Sequence, residues 1–335
     1  MYRRALLVSL AGLSGCTGLV PLGGGPEPGS TGGSGGSDGS GNGGESGDGE
    51  GTTGEGTATS DPGGTTTDSP PSAAELGRMD VDELLGRARD RIDRAIDAYA
   101  GEGNPLTAVS AASDSFDPVP VIEHLYRAQA AYEAADRQGI GTEREQTIKR
   151  LRRVNALLRS AIDVQVLLVD AHADLEAFVI AVEYVDSESV ESIRDRITSR
   201  RRRANDGVSE LSQSRYAQAV GAVDRLSRGG YDDKRRQFAA ETEVIGRLID
   251  ASGKVIEGVT LLSRARAKRR SGSPYAAAEL ARDAGTAFQR GAAALDNVAA
   301  TVPSDGRAFS DVAAALVTTA EARRRDAQEL YEGIA

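Results

Sequence analysis

One cysteine in 335 residues excludes an intramolecular disulfide and any zinc framework built on paired cysteines. Two histidines, His124 and His172, are too few for a multi-histidine metal site, so no metal or other cofactor is expected. Tryptophan is absent and aromatic residues are 4% of the chain, so a sizeable core must be built from Leu, Val, Ile and Ala. No run of 18 apolar residues supports a membrane-spanning helix. No alternation of strand and helix patterns supports a Rossmann-type sheet. A phosphate-binding glycine loop, a serine nucleophile elbow and an Asn-x-Ser/Thr sequon are also missing.

The charge is distributed unevenly. Residues 1–16 carry two arginines and no acid, residues 17–75 carry nine acids and no Lys or Arg, and residues 76–335 carry 38 basic and 41 acidic side chains. The first segment has a basic start (Arg3, Arg4), an apolar run from Ala5 to Gly15, and then Cys16. That order predicts an export signal over 1–15, and at eleven residues its apolar run falls short of the roughly 20 that a permanent membrane helix needs. Leu13, Ser14 and Gly15 before Cys16 form the lipobox pattern of prokaryotic lipoproteins: small side chains admit a peptidase, and the thiol carries a thioether-linked lipid. Two lipid chains suffice for stable anchoring to the membrane. Arg3-Arg4 followed by Ala-Leu-Leu resembles a twin-arginine export signal, with the general secretory route as the alternative.

Arg outnumbers Lys 36 to 4, and Asp outnumbers Glu 27 to 23. With the lipobox and the paired arginines, this composition resembles a surface lipoprotein of an extremely halophilic archaeon. The resemblance implies a lipid-anchored protein on the outer face of the cell membrane, and it names no family for the C-terminal domain. The near-neutral charge of that domain departs from the acidic surface expected in concentrated salt, which keeps a high-GC bacterium as the alternative source.

Residues 16–75 read as a disordered linker behind the anchor. From Thr17 to Glu75, 20 of 59 residues are Gly and 17 are Ser or Thr, which leaves too little apolar surface for a core. Such a coil spans ~40 Å r.m.s. and ~190 Å fully stretched. It serves as a spacer or as filler of no fixed length, and its hydroxyl-rich stretches offer acceptors for O-linked sugars.

From residue 76 to 335, apolar residues recur at three- and four-residue spacing, which predicts an all-α bundle of six to seven long helices. Asp80 is expected to cap a first helix ending near Gly101, and Asp117-Pro118 to open a second that stops at Gly139. Thr142 with Glu145 reads as a capping box opening the longest helix, to about Asp186. Its stripe at 151, 154, 158, 161, 165, 168, 172, 175, 179 and 182 is apolar except for Gln165 and His172. A second stripe, Leu157, Val164, Ala171, Phe178 and Val185, makes this helix central to a bundle rather than half of a two-stranded coiled coil. Further helices are expected over 188–228, ending at Gly229-Gly230, then over 231–270, from Ser273-Pro274 to before Pro303, and over 304–333. Tyr/Ala runs at Tyr126, Tyr216 and Tyr275 resemble tetratricopeptide helices, but their intervals of 90 and 59 residues do not fit a 34-residue repeat.

His172 and Glu176, and likewise Asp170 and Asp174, lie one turn apart and could each offer two metal ligands. A polar bundle position is the simpler reading of His172, and of His124 beside Glu123. Basic clusters at Arg150/Arg152/Arg153, Arg200–Arg203, Lys234–Arg236, Arg264–Arg270 and Arg323–Arg325 read as solvated helix faces, and no nucleic-acid partner is expected. No catalytic, cofactor or metal residue is assigned, and the chain is not read as an enzyme. The expected function is a cell-surface lipoprotein whose bundle is an interaction or structural module with an unidentified surface protein partner. The alternatives are a ligand- or solute-binding receptor and, after it, a helical surface hydrolase. A polar pocket between helices would favour the receptor.

Overall fold

The computed structural model describes residues 72–138 and 141–334. The signal (Arg3, Arg4), the lipobox (Leu13, Ser14, Gly15), Cys16 and the linker up to residue 71 lie outside the described residues. Every regular element among the described residues is helical, and no strand occurs among them. The elements are α1 (Ala73–Leu76), α2 (Val81–Ala100), α3 (Pro118–Arg137), α4 (Thr142–Tyr184), α5 (Ser187–Leu211), α6 (Ser214–Ala217), α7 (Arg228–Arg270), α8 (Pro274–Ala299) and α9 (Ser310–Glu332). Seven of these are long, and the chain is all-α as its periodicity predicts. Two short 3-10 turns, Leu106–Ala108 and Ser304–Phe309, lie in the connections before α3 and α9.

Capping chemistry sets most helix starts. Asp80 accepts a hydrogen bond from the Glu83 N–H at 2.8 Å, Asp117 from Val119 at 2.9 Å, and Ser227 from Gly230 at 3.0 Å. Three expectations are corrected. Gly141, not Thr142, holds the N-cap of α4 and no side chain caps it, because Thr142 already has helical backbone geometry. A reciprocal Ser-x-x-Glu box is found instead at α1, inside the stretch assigned to the linker. There Glu75 N–H donates to Ser72 Oγ (3.2 Å) and Ser72 N–H donates to the Glu75 carboxylate (2.6 Å). The Ser72 N–H bond, with a second from the Ser72 hydroxyl at 3.0 Å, holds the Glu75 carboxyl below the usual range. The helix expected over 188–228 stops at Leu211, and Gly229-Gly230 lies within the first turn of α7 rather than ending its predecessor. Between them the chain folds back through α6 and a turn at Gly221, whose φ of +90° suits glycine.

The stripe on α4 faces inward as read. Leu151, Val154, Leu158, Leu168, Leu175 and Val182 are buried, and so are its polar members Gln165 and His172. α4 packs on α3, α5, α7 and α9, which makes it central, while α7, α8 and α9 form a second set of packed neighbours. α7 and α8 approach closely because two positions lack a side chain. A Cβ at Gly291 would stand 3.0 Å from the Val255 backbone nitrogen, and one at Gly258 would stand 2.9 Å from the Phe288 ring. α4 turns into α5 at Val185, held at φ +57°, while Asp186 N–H donates to the Ala181 carbonyl at 3.0 Å to close the helix end.

Candidate functional site: a polar cleft over α7

Lys234, Gln237 and Glu241 stand at i, i+3 and i+7 and therefore share one face of α7. All three are buried, and Glu241 is fully so. The connection from α2 to α3 crosses this face and brings its backbone polar groups onto it. Lys234 Nζ donates to the Val109 carbonyl (2.7 Å), to Gln165 Oε1 (2.8 Å) and to Gln237 Oε1 (3.1 Å). Those three acceptors use every donor an ammonium has. Gln237 Nε2 donates to Val109 O (3.1 Å) and to Glu241 Oε1 (3.2 Å), and Ala111 N–H donates to the same oxygen at 3.3 Å. Gln165 reaches in from α4: it accepts the Tyr99 hydroxyl at 2.8 Å and donates to the Ser110 carbonyl at 2.9 Å. The Lys234 ammonium also lies 4.4 Å from the centre of the Phe238 ring.

The charges are expensive to bury and compensate one another. Desolvation pushes the Lys234 ammonium down to about 7 and the Glu241 carboxyl up to about 7, and in each case the opposite charge resists. The Tyr99 hydroxyl is pushed well above its ordinary value, chiefly by burial and secondarily by the Glu241 charge. One valence is left over. Glu241 Oε2 is buried with no hydrogen-bond partner among the described residues, and this side chain lines a cleft of about 740 Å³.

The cleft lies between the α2–α3 connection (Thr107, Ser110, Ala112) and the 3-10 turn before α9 (Ser304, Asp305, Arg307, Ala308), with α7 below. His172 stands behind the second wall. Its Nε2 lies 3.2 Å from the Ala308 carbonyl oxygen and its ring packs at 5.4 Å on Phe309. Three other recesses, of about 780 Å³ beside Arg266 and Arg270, about 610 Å³ beside Arg153 and Arg159 and about 630 Å³ beside Asp163 and Arg203, have no buried charge in their linings.

The pairs read from sequence as metal-ligand candidates are otherwise engaged. Asp174 is paired with Arg196 (3.0 Å) and Arg200, and Asp170 with Arg200 at 3.3 Å, so both carboxylates tie α4 to α5. Glu176 approaches His172 Nδ1 only to 3.9 Å. No cluster of three or more metal-ligating side chains occurs among the described residues. Four of the five basic clusters contribute ion pairs, exposed at Arg152–Asp136 (2.7 Å) but part-buried at Arg323–Asp326 (2.7 Å) and at Arg200, whose partner Asp174 is buried. The fifth is corrected: Arg235 and Arg236 fit a solvated face, but Lys234 is a core residue.

Glu241 was not singled out by sequence reasoning at all. The available signal was the interruption of the α4 stripe by Gln165, together with Lys234, Gln237 and Glu241 on the inward side of the next long helix. Comparison with protein-family models, curated proteins and solved structures finds no match in any of the three.

Proposed function

We propose that this chain is a lipid-anchored prokaryotic surface lipoprotein whose helical bundle captures a small polar ligand in the cleft over α7. The observation that carries the binding reading is the Glu241 carboxylate, fully buried at the cleft with one oxygen unpartnered. An unsatisfied buried acceptor costs about 1–3 kcal/mol, so a ligand donor that satisfied it would recover part of that cost. A polar recess of several hundred Å³ with convergent fixed groups suits a small solute better than a flat protein partner. The cleft thus favours the receptor over the structural module.

The anchor rests on the Leu13-Ser14-Gly15-Cys16 pattern behind Arg3-Arg4. No helix among the described residues is long and apolar enough to cross a membrane. Fractionation of cells expressing wild type and Cys16→Ser tests the anchor. Wild type is expected in the membrane with a lipid-modified N-terminal cysteine, and the variant unprocessed or released; a soluble, unmodified wild type overturns the anchor. Thermal-shift screening of the full chain against a panel of small solutes tests the cleft. At least one solute should raise Tm by RT ln(1 + [L]/Kd) in wild type and fail to do so when Ala112→Arg crowds the wall. No stabilising solute in the panel overturns the binding reading.

A further inference from the structure

We propose that the ligand of the cleft over α7 is a small organic cation bearing N–H donors, a primary ammonium or a guanidinium, received by Glu241 Oε2. This rests on the binding reading above and adds the chemical class. The polarity of the floor decides it. Every donor in the floor is already used: the three Lys234 protons go to Val109, Gln165 and Gln237, and the Gln237 amide to Val109 and Glu241. What remains open at the floor is a carboxyl oxygen, an acceptor once the group is ionised, which is the form a bound cation favours. The terminal torsion of a glutamate is soft, so Oε2 can turn toward the cleft with no backbone movement, and because Oε1 turns with it the bound cation takes over from the Gln237 and Ala111 contacts.

The walls are net acidic, with Asp305 and Asp311 against Arg307. Asp305 and Asp311 are exposed at the cleft with no cationic partner among the described residues, while Arg236 on the same rim is held by Asp233. Four carboxylates line the cleft against two guanidiniums, Arg236 and Arg307. No aromatic side chain is among its lining residues. A quaternary ammonium would therefore find neither a ring face nor any use for the open acceptor, whereas an N–H-bearing cation satisfies both the hydrogen bond and the charge.

Calorimetric titration of the full chain, at the lowest salt that keeps it helical, tests the class with four probes: propylammonium, putrescine, tetramethylammonium and succinate. The two N–H cations are expected to bind one per chain. Tetramethylammonium is expected to bind at least tenfold more weakly, and succinate not at all. Glu241→Gln should weaken putrescine at least tenfold, and Asp305→Asn with Asp311→Asn about threefold. The latter two positions are exposed, so that variant reads the effect without disturbing the core, and circular dichroism checks that Glu241→Gln remains folded. Binding of succinate or tetramethylammonium in competition with a solute from the thermal-shift panel overturns the cation class and leaves the binding reading intact. Failure of both amines while another solute binds does the same, and failure of every solute overturns both. Amine binding unaffected by either variant places the cation elsewhere and overturns the role of Glu241.

Discussion

Lys234 and Glu241 are each more costly alone than together, and pH separates their contributions. In Glu241→Gln the lysine keeps its burial and loses its countercharge, so its folded-state value falls further below the ordinary 10.5. A base depressed in the folded state destabilises fully below that folded value and less as pH rises toward its unfolded one. This variant is therefore expected to lose about 3–5 kcal/mol below its own lysine value and to recover relative to wild type as pH rises to about 7, above which the folded wild-type lysine is also neutral and the two stability curves run parallel. Lys234→Met inverts the dependence. The lone carboxyl is pushed further above its ordinary 4.5, so folding takes up a proton and the variant recovers as pH falls from 7 toward 4.5. Denaturant titrations across pH measure both, and two variants with the same slope would show that the groups do not oppose one another. The double substitution should cost less than the sum of the singles.

At the scale of the helices, the prediction concerns close approach. Gly291→Ala places a methyl group against the Val255 backbone, which cannot rotate away as a side chain can, and should cost about 1–3 kcal/mol in thermal unfolding. Asp80→Ala removes the cap of α2 and should cost about 1 kcal/mol. Asp80 and Asp117 were legible as caps because a short acidic side chain before an amphipathic run has one good local use. Thr142 misled because the helix starts one residue earlier, a difference of backbone geometry that residue type alone does not record. The break after Leu211 was hidden for a related reason. The alanines after Tyr216 are good helix formers, and what pins the chain into its fold-back is tertiary: the Tyr231 hydroxyl donates to the Leu211 carbonyl, Arg225 bonds Asp93 and Asp97 of α2, and Tyr216, Val223 and Leu226 are buried.

For the molecule as a whole, the architecture follows from the stripe on α4, which was readable because burial on several sides requires apolar residues on several faces. The cleft was not readable, since it is assembled from two connections and one helix far apart in sequence: Ala111 meets Glu241 and Lys234 meets Gln165. Polar residues that are solvated on one helix and buried on another look alike until their neighbours are known. Amide hydrogen exchange should be slowest along α4 between Leu151 and Val182, by on the order of 100-fold or more relative to the fold-back at 212–226. Equal protection in the two regions would show that α4 is not the cooperative centre.

The buried lysine also bears on how the long helices avoid sliding. Much of the packing of α8 is alanine, at Ala277, Ala281, Ala284, Ala287 and Ala292, so apart from the notches at Gly258 and Gly291 little in that surface opposes a ratchet of a neighbour by one turn of about 5.4 Å. Such a slip of α7 would carry Phe238 into the place of Lys234 and leave the acceptors on Val109 and Gln165 without their donor. Lys234 thus acts as a detent, allowing a small-residue interface to lock in one position.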